Sequence, residues 1–334
     1  EMKSRIKDLK QGSPKEKLRA AALLVTLKGP EAVNEWAIDR SLLLKVLSSD
    51  DIWAAPWVLT ELRQGNLDPD VLRLIGALKP PEALPVLMAL FNKTIEAYRL
   101  PSPRLSHEKP EKIPLYPAKQ KKLKEKKTPD PVLIVRTMGH FKDEPQVKEA
   151  LRNFLKQILA EKGEVSGRES LTAEIIKSLG RVEDHESKEA IFEIWSRKWP
   201  RSSEAHLIRR SALEAMASLG DKAVWERILK TAQNKTLNFV ENQIMLREVA
   251  DFFGEIRYND AVPFLINVIN HPSASDLMLK ACFQALSRMA SPEAEDCLKD
   301  FVQGPSWYLS QNAASALESL TLEKAFWNNL KGIQ

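Results

Sequence analysis

The chain has 334 residues, 43% of them hydrophobic and 28% charged, with 12 glycines and a formal net charge of +5. This provides ample apolar surface for a large buried core and excludes general disorder. No stretch reaches the roughly 18 consecutive apolar residues of a membrane span, and the opening Glu1-Met2-Lys3-Ser4-Arg5 is charged rather than leader-like. The chain therefore reads as soluble and cytoplasmic, or extracytoplasmic if a signal was removed ahead of Glu1.

Along the chain, a bulky apolar residue repeatedly closes one helix-like stretch and a second such stretch opens a few residues later. The anchors are Leu27, Leu78, Phe141, Val182, Leu219, Ile256, Met289 and Leu320, the last four spaced by 37, 33 and 31 residues. A period of this size predicts stacked helical hairpins rather than one globular core. The units are expected near 13–48, 67–99, 129–160, 170–199, 204–234, 241–271, 273–303 and 306–332, with an extra helix at 49–65. Apolar residues three and four apart within each stretch give helices with one buried face.

The breakers agree with the period. Gly180 and Gly254 fall just before a helix end, where a glycine lets a neighbouring backbone approach. Asp, Ser and Asn in the turns are placed to cap the following helix. Pro81, Pro145, Pro263 and Pro292 fall where a first helical turn tolerates proline. The predicted class is all-α, a right-handed α-solenoid of about eight hairpins. The organisation expected is 1–100 and 129–334 as repeats of one continuous solenoid, with 101–128 as an insertion.

The runs Ile75-Gly76-Ala77-Leu78-Lys79-Pro80-Pro81-Glu82-Ala83-Leu84 and Ser218-Leu219-Gly220-Asp221-Lys222-Ala223-Val224 resemble HEAT-like repeats. Such repeats occur in bilin lyases, deoxyhypusine hydroxylase and the HEAT-like alkylpurine DNA glycosylases. The resemblance implies an armadillo-like helical fold and leaves function open, since scaffolds and enzymes share it.

Residues 101–128 break the pattern with five prolines and the run Lys119-Gln120-Lys121-Lys122-Leu123-Lys124-Glu125-Lys126-Lys127. Nine basic residues against Glu108, Glu111 and Glu125 give this segment a formal +6, so the rest of the chain carries −1. The basic character belongs to the insertion. Lys121, Lys122, Lys124, Lys126 and Lys127 are therefore candidates for electrostatic capture of nucleic acid, an anionic surface or an acidic protein.

Lys148, Arg152 and Lys156 recur at four-residue spacing on one predicted helix and are the leading candidates for a binding surface on the concave side of the solenoid. Lys188, Arg197, Lys222, Arg227 and Lys230 lie on the next two second helices and extend the same basic ridge. The resemblance to the glycosylases adds Trp53, Trp57 and Glu61 or Asp51 as an aromatic and carboxylate face, although the Trp-Asp-Leu-Val-Asp-like run of that family is missing. The remaining tryptophans read as core or inter-repeat contacts.

The resemblance to deoxyhypusine hydroxylase would imply iron held by His-Glu pairs. His107-Glu108 and His185-Glu186 do not match the repeat phase, so no metal or other cofactor is expected. No Gly-rich phosphate loop, Gly-x-Ser-x-Gly elbow or His-Glu-x-x-His helix occurs. Cys282 and Cys297 sit at similar distances from a hairpin apex near Ala290, which permits a disulfide, but they read first as small packed residues. The expected function is noncatalytic protein binding or scaffolding. A nucleic-acid-binding or glycosylase-like enzyme is the alternative.

Overall fold

A computed structural model of the chain describes residues 8, 11, 13, 16, 17, 20 and 21 singly, and 57–62, 68–99, 130–160, 168–197, 203–289 and 291–331. Among the described residues the protein is all-α, with thirteen α-helices and no strand. Contacts divide the chain into two compact units, 1–154 and 155–334. No helix among the described residues is long and apolar enough to cross a membrane.

The first unit holds helices α1 (Pro69–Leu78), α2 (Ala83–Arg99) and α3 (Pro131–Met138), and α4 (Pro145–Ala160) begins within it. The start of α1 is fixed by Asp68, whose side chain accepts from the amides of Asp70 and Val71 at 3.1 and 2.9 Å, while Pro69 occupies the first helical position. Asp130 and Pro131 repeat this device at α3. Both α1 and α2 pack on α3. Val71, Leu72, Ile75, Leu87 and Met138 are buried there, and Phe91 meets Phe154 edge-on at 6.2 Å. Thr137 is buried in the same contact, where its hydroxyl is shared between the carbonyls of Leu133 and Leu72.

The second unit continues as hairpins. They are α5 (Glu169–Arg181) with α6 (Lys188–Ser196), α7 (Ser203–Leu219) with α8 (Lys222–Lys235), α9 (Phe239–Ile256) with α10 (Val262–Ile269), and α11 (Asp276–Met289) with α12 (Pro292–Val302). A last helix, α13 (Trp307–Lys331), follows. Each first helix packs on the first helix of the next hairpin, α5 on α7, α7 on α9, α9 on α11 and α11 on α13. Lys177 meets Glu214, Arg209 meets Glu248 and Gly254 faces Ala285 at nearly equivalent positions, so α5, α7, α9 and α11 lie side by side and parallel. The turn from α7 to α8 uses Gly220 at φ +66°, a left-handed conformation that favours glycine, and Asp221 then caps α8 through the Ala223 amide.

The hairpins predicted from 67 to 303 match the observed helix pairs closely. The final one does not. Residues 306–332 are expected as a hairpin turning after Leu320, yet α13 runs unbroken for 25 residues with Leu320 buried at its middle. No glycine or proline lies between Trp307 and Lys331 to end the helix, and the periodicity alone carries no stop signal. Most of the first predicted unit, 13–48, and all of 101–128 lie outside the described residues. Of the extra helix at 49–65, residues 57–62 are helical.

Candidate functional site

The face of the second unit built by α7, α9 and α11 combines an open groove with repeated side chains. Counting back twelve residues from Leu219, Ile256, Met289 and Leu320 gives Leu207, Ile244, Leu277 and Tyr308. All four are exposed, at 37, 54, 62 and 43%. Nine residues before the first three anchors stand Arg210, Arg247 and Lys280, and one turn further on Glu214, Asp251 and Gln284. Positions one helical turn apart share a face. The outward surface of these neighbouring helices is therefore ruled into an apolar row, a cationic row and a polar row, each crossing the helices.

The cationic and polar rows open into a groove of about 260 Å³ lined by residues of all three helices, with Arg210, Arg247 and Arg288 set among Glu214, Glu248, Asp251 and Glu255. Burial against its walls raises the Asp251 carboxyl above its ordinary range, opposed by Arg247, Arg210 and Arg288. Arg210 bonds Glu214 at 3.2 Å, and Glu214 also meets Lys177 of α5 at 2.8 Å. Arg247 and Lys280 make no hydrogen bond or ion pair with the described residues.

The groove floor is fixed by Glu248, a carboxylate whose side chain is only 3% exposed. Arg209 of α7 clamps it in a two-point contact at 2.9 and 3.1 Å, and His206 Nδ1 meets the same carboxylate. A buried carboxylate is tolerated only when its lone pairs are matched, and the arginine fork supplies that geometry. The clamp ties α7 to α9 and holds the cationic row in register.

The sequence candidates fare unevenly. Lys148, Arg152 and Lys156 share α4, with Lys156 exposed and the other two partly so. The second-helix ridge is corrected at three of its five cations, while Lys222 and Lys230 are exposed on α8. Lys188 bonds Asp221 at 2.7 Å, one Arg227 guanidinium nitrogen donates to both Glu189 carboxylate oxygens at 2.7 and 2.8 Å while the group lies over the Phe192 ring, and Arg197 reaches the Leu159 carbonyl at 2.6 Å. These three cations join neighbouring elements and are not free for an anion. The Lys188 bond also holds the Asp221 carboxyl below its usual range.

Trp57 is buried at 6% exposure, in the core of the first unit, and does not offer a stacking face with Glu61. Trp53 and Asp51 lie outside the described residues, as do Lys121, Lys122, Lys124, Lys126, Lys127 and His107. Trp195 is core, and Trp225 bonds the Met216 carbonyl at 3.2 Å and meets Tyr258 edge-on. Trp307, by contrast, is 75% exposed.

Cys282 and Cys297 are free. Burial raises both thiols, that of Cys297 to about 11. His185 and Glu186 are exposed in a 3₁₀ turn. Among the described residues no group of three or more His, Cys, Asp or Glu side chains is placed to hold a metal ion.

The exposed rows on the first helices are absent from the sequence reading, which assigns binding to the second helices. A signal for them exists: the anchors, once aligned, place Leu207, Ile244, Leu277 and Tyr308 in one column. Exposure is what separates that column from core positions, and apolar identity alone does not report it.

No family profile and no curated protein matches this chain. Among solved structures it is similar to human deoxyhypusine hydroxylase in complex with glycerol, at 13% identity and a TM-score of 0.33, over 96% of each chain. That protein is among those whose repeats the sequence resembles. A likeness at this level carries no argument about activity, and the hairpin repeat rests on the helix packing described above.

Proposed function

We propose that the protein is a noncatalytic protein-binding scaffold that recognises its partner through the outward face of successive first helices in the second unit. The observation that carries this reading is the recurrence of an exposed apolar row beside a cationic row on neighbouring helices. A repeat array presents many modest contacts on a preformed surface, so ordering the groove costs little on binding. The cationic row steers an acidic partner and sets its orientation, with an attraction that weakens as salt rises. The basic segment at 101–128 adds long-range attraction of the same sign.

The test is affinity capture from native lysate by the intact chain, with and without nuclease, beside an Arg247→Glu, Lys280→Glu variant. A discrete protein retained after nuclease treatment and lost from the variant is the expected result. Recovery of nucleic acid that disappears with nuclease, without a protein, overturns the scaffold reading.

A further inference from the structure

The two edges of the second unit, where its helices turn, differ in charge. The turns inside the hairpins contain Glu183, Asp184, Glu186, Asp221, Arg257 and Asp260. The connections between the later hairpins, residues 236–238, 270–275 and 303–306, contain no Asp, Glu, Lys or Arg, in a chain with 28% charged residues. Large apolar side chains stand out on this second edge. Leu237 lies in the first of these connections, Val240 in the first turn of α9, Leu277 in that of α11 and Trp307 in that of α13, exposed at 84, 69, 62 and 75%.

The edge is held from beneath. Phe239 stacks on His271 at 3.9 Å, and Gln243 donates to the Ser273 carbonyl at 3.0 Å, which fixes the start of α9 on the 270–275 connection. The Ser310 hydroxyl donates to the Val302 carbonyl at 2.6 Å and fixes the start of α13 on the end of α12. The packing of α9 on α11 and of α11 on α13 then sets the exposed side chains along one edge.

Apolar side chains that project this far remain hydrated, and covering them is favourable. A protein partner would need a separate pocket for each. The boundary between lipid headgroups and acyl chains takes them in any register, to a depth of about 5–10 Å, and tryptophan is favoured there. The Ser, Asn and Gln side chains of the connections stay at headgroup depth, where water and headgroups meet their hydrogen bonds. Charge decides the kind of lipid. The helix turns adjoining the three connections carry Lys235, Lys299, Glu241, Asp276 and Asp300, a formal −1, so this edge has no excess of cations for anionic lipid. The 101–128 segment, at +6, has that excess and belongs to the first unit.

We propose that this edge docks the second unit on a bilayer of zwitterionic lipid, by shallow insertion of Leu237, Val240, Leu277 and Trp307. The proposal goes beyond the scaffold reading. The groove face is left to a protein partner, Leu277 stands where that face meets the edge, and the partner is gathered at a membrane surface.

The test is co-sedimentation of the full chain with vesicles of phosphatidylcholine alone, a lipid without net charge that the 101–128 segment does not attract. Binding that changes little at high salt is expected. The partition coefficient should fall roughly tenfold or more on Leu237→Glu with Val240→Glu. Lipid brominated in its acyl chains should quench part of the tryptophan fluorescence, and Trp307→Leu should remove that part. All three positions are at the surface, and a thermal melt matching the parent's establishes that each variant folds. No sedimentation with phosphatidylcholine, binding only to anionic vesicles that salt reverses, equal partition of the variant, or quenching unchanged by Trp307→Leu overturns the proposal. Loss of a captured protein, without loss of vesicle binding, from the Leu237→Glu, Val240→Glu variant does so as well, in favour of a protein interface. Failure here leaves the scaffold reading in place, because that reading is tested at Arg247 and Lys280.

Discussion

Two neighbouring contacts in the second unit differ in what fills their buried centre. Where α5 meets α7, Gly180 faces Ala215 so closely that a Cβ added to the glycine would lie 2.7 Å from the Ala215 Cα. The same arrangement recurs where α9 meets α11, with Gly254 against Ala285. Where α7 meets α9, the position equivalent to these glycines is Ala217. The two helices pack less extensively there, and the buried Glu248 with Arg209 and His206 joins them. At the Gly180 contact backbone meets backbone, and the polar link between α5 and α7 is the part-exposed pair Lys177–Glu214 at 2.8 Å. A methyl-bearing position sets them apart, and a matched ion pair fills the interval.

The clamp should be the more sensitive of the two. Glu248→Ala leaves the largely covered Arg209 guanidinium without its carboxylate, with an expected cost of about 3 kcal/mol in urea-induced unfolding. Combining it with Arg209→Ala should cost less than the sum of the two, and additive losses would show that the pair is not acting as a unit.

Gly180→Ala comes next. Its methyl meets backbone rather than a movable side-chain tip, at a cost of about 1–3 kcal/mol, partly offset by alanine's higher helix propensity of about 1 kcal/mol. The reverse change, Ala217→Gly, meets no such contact and should lose only that propensity, about 1 kcal/mol or less. If Gly180→Ala proved stabilising, the close approach would not be holding α5 and α7 together.

The smallest effect lies where α12 meets α13. Glu295 bonds Lys299 and Lys324, and these hydrogen bonds lower its carboxyl to about 2. A carboxylate depressed in the folded state stabilises the fold fully above its unfolded value, and this contribution is lost as pH falls through about 2. Glu295→Gln should therefore lower the melting temperature slightly at neutral pH, with the difference from the parent vanishing near pH 2. A difference that persists unchanged at pH 2 would assign the effect to packing.

Much of the hairpin array was legible because its signals are local. Asp68, Asp130, Asp221 and Ser291 cap the helices that follow them, and Gly180 and Gly254 occupy the close contacts their positions suggest. The last predicted hairpin failed because α13 contains apolar residues throughout and no breaker. The candidate site was harder to read. Lys188 and Arg227 look like free surface cations in sequence, and their carboxylate partners stand 33 and 38 residues away.

What the sequence determined by itself was the helical class, the period and the extent of the hairpins between 67 and 303, because hydrophobic spacing, caps and breakers act within a few residues along the chain. Only the tertiary structure decided which charges are spent on neighbours and which face outward. It alone placed Arg247 and Lys280 beside an exposed apolar row and buried Glu248 between α7 and α9. The physical reason is that burial and ion pairing depend on distances between helices, and residues 30 to 40 apart in sequence meet only once the hairpins stack.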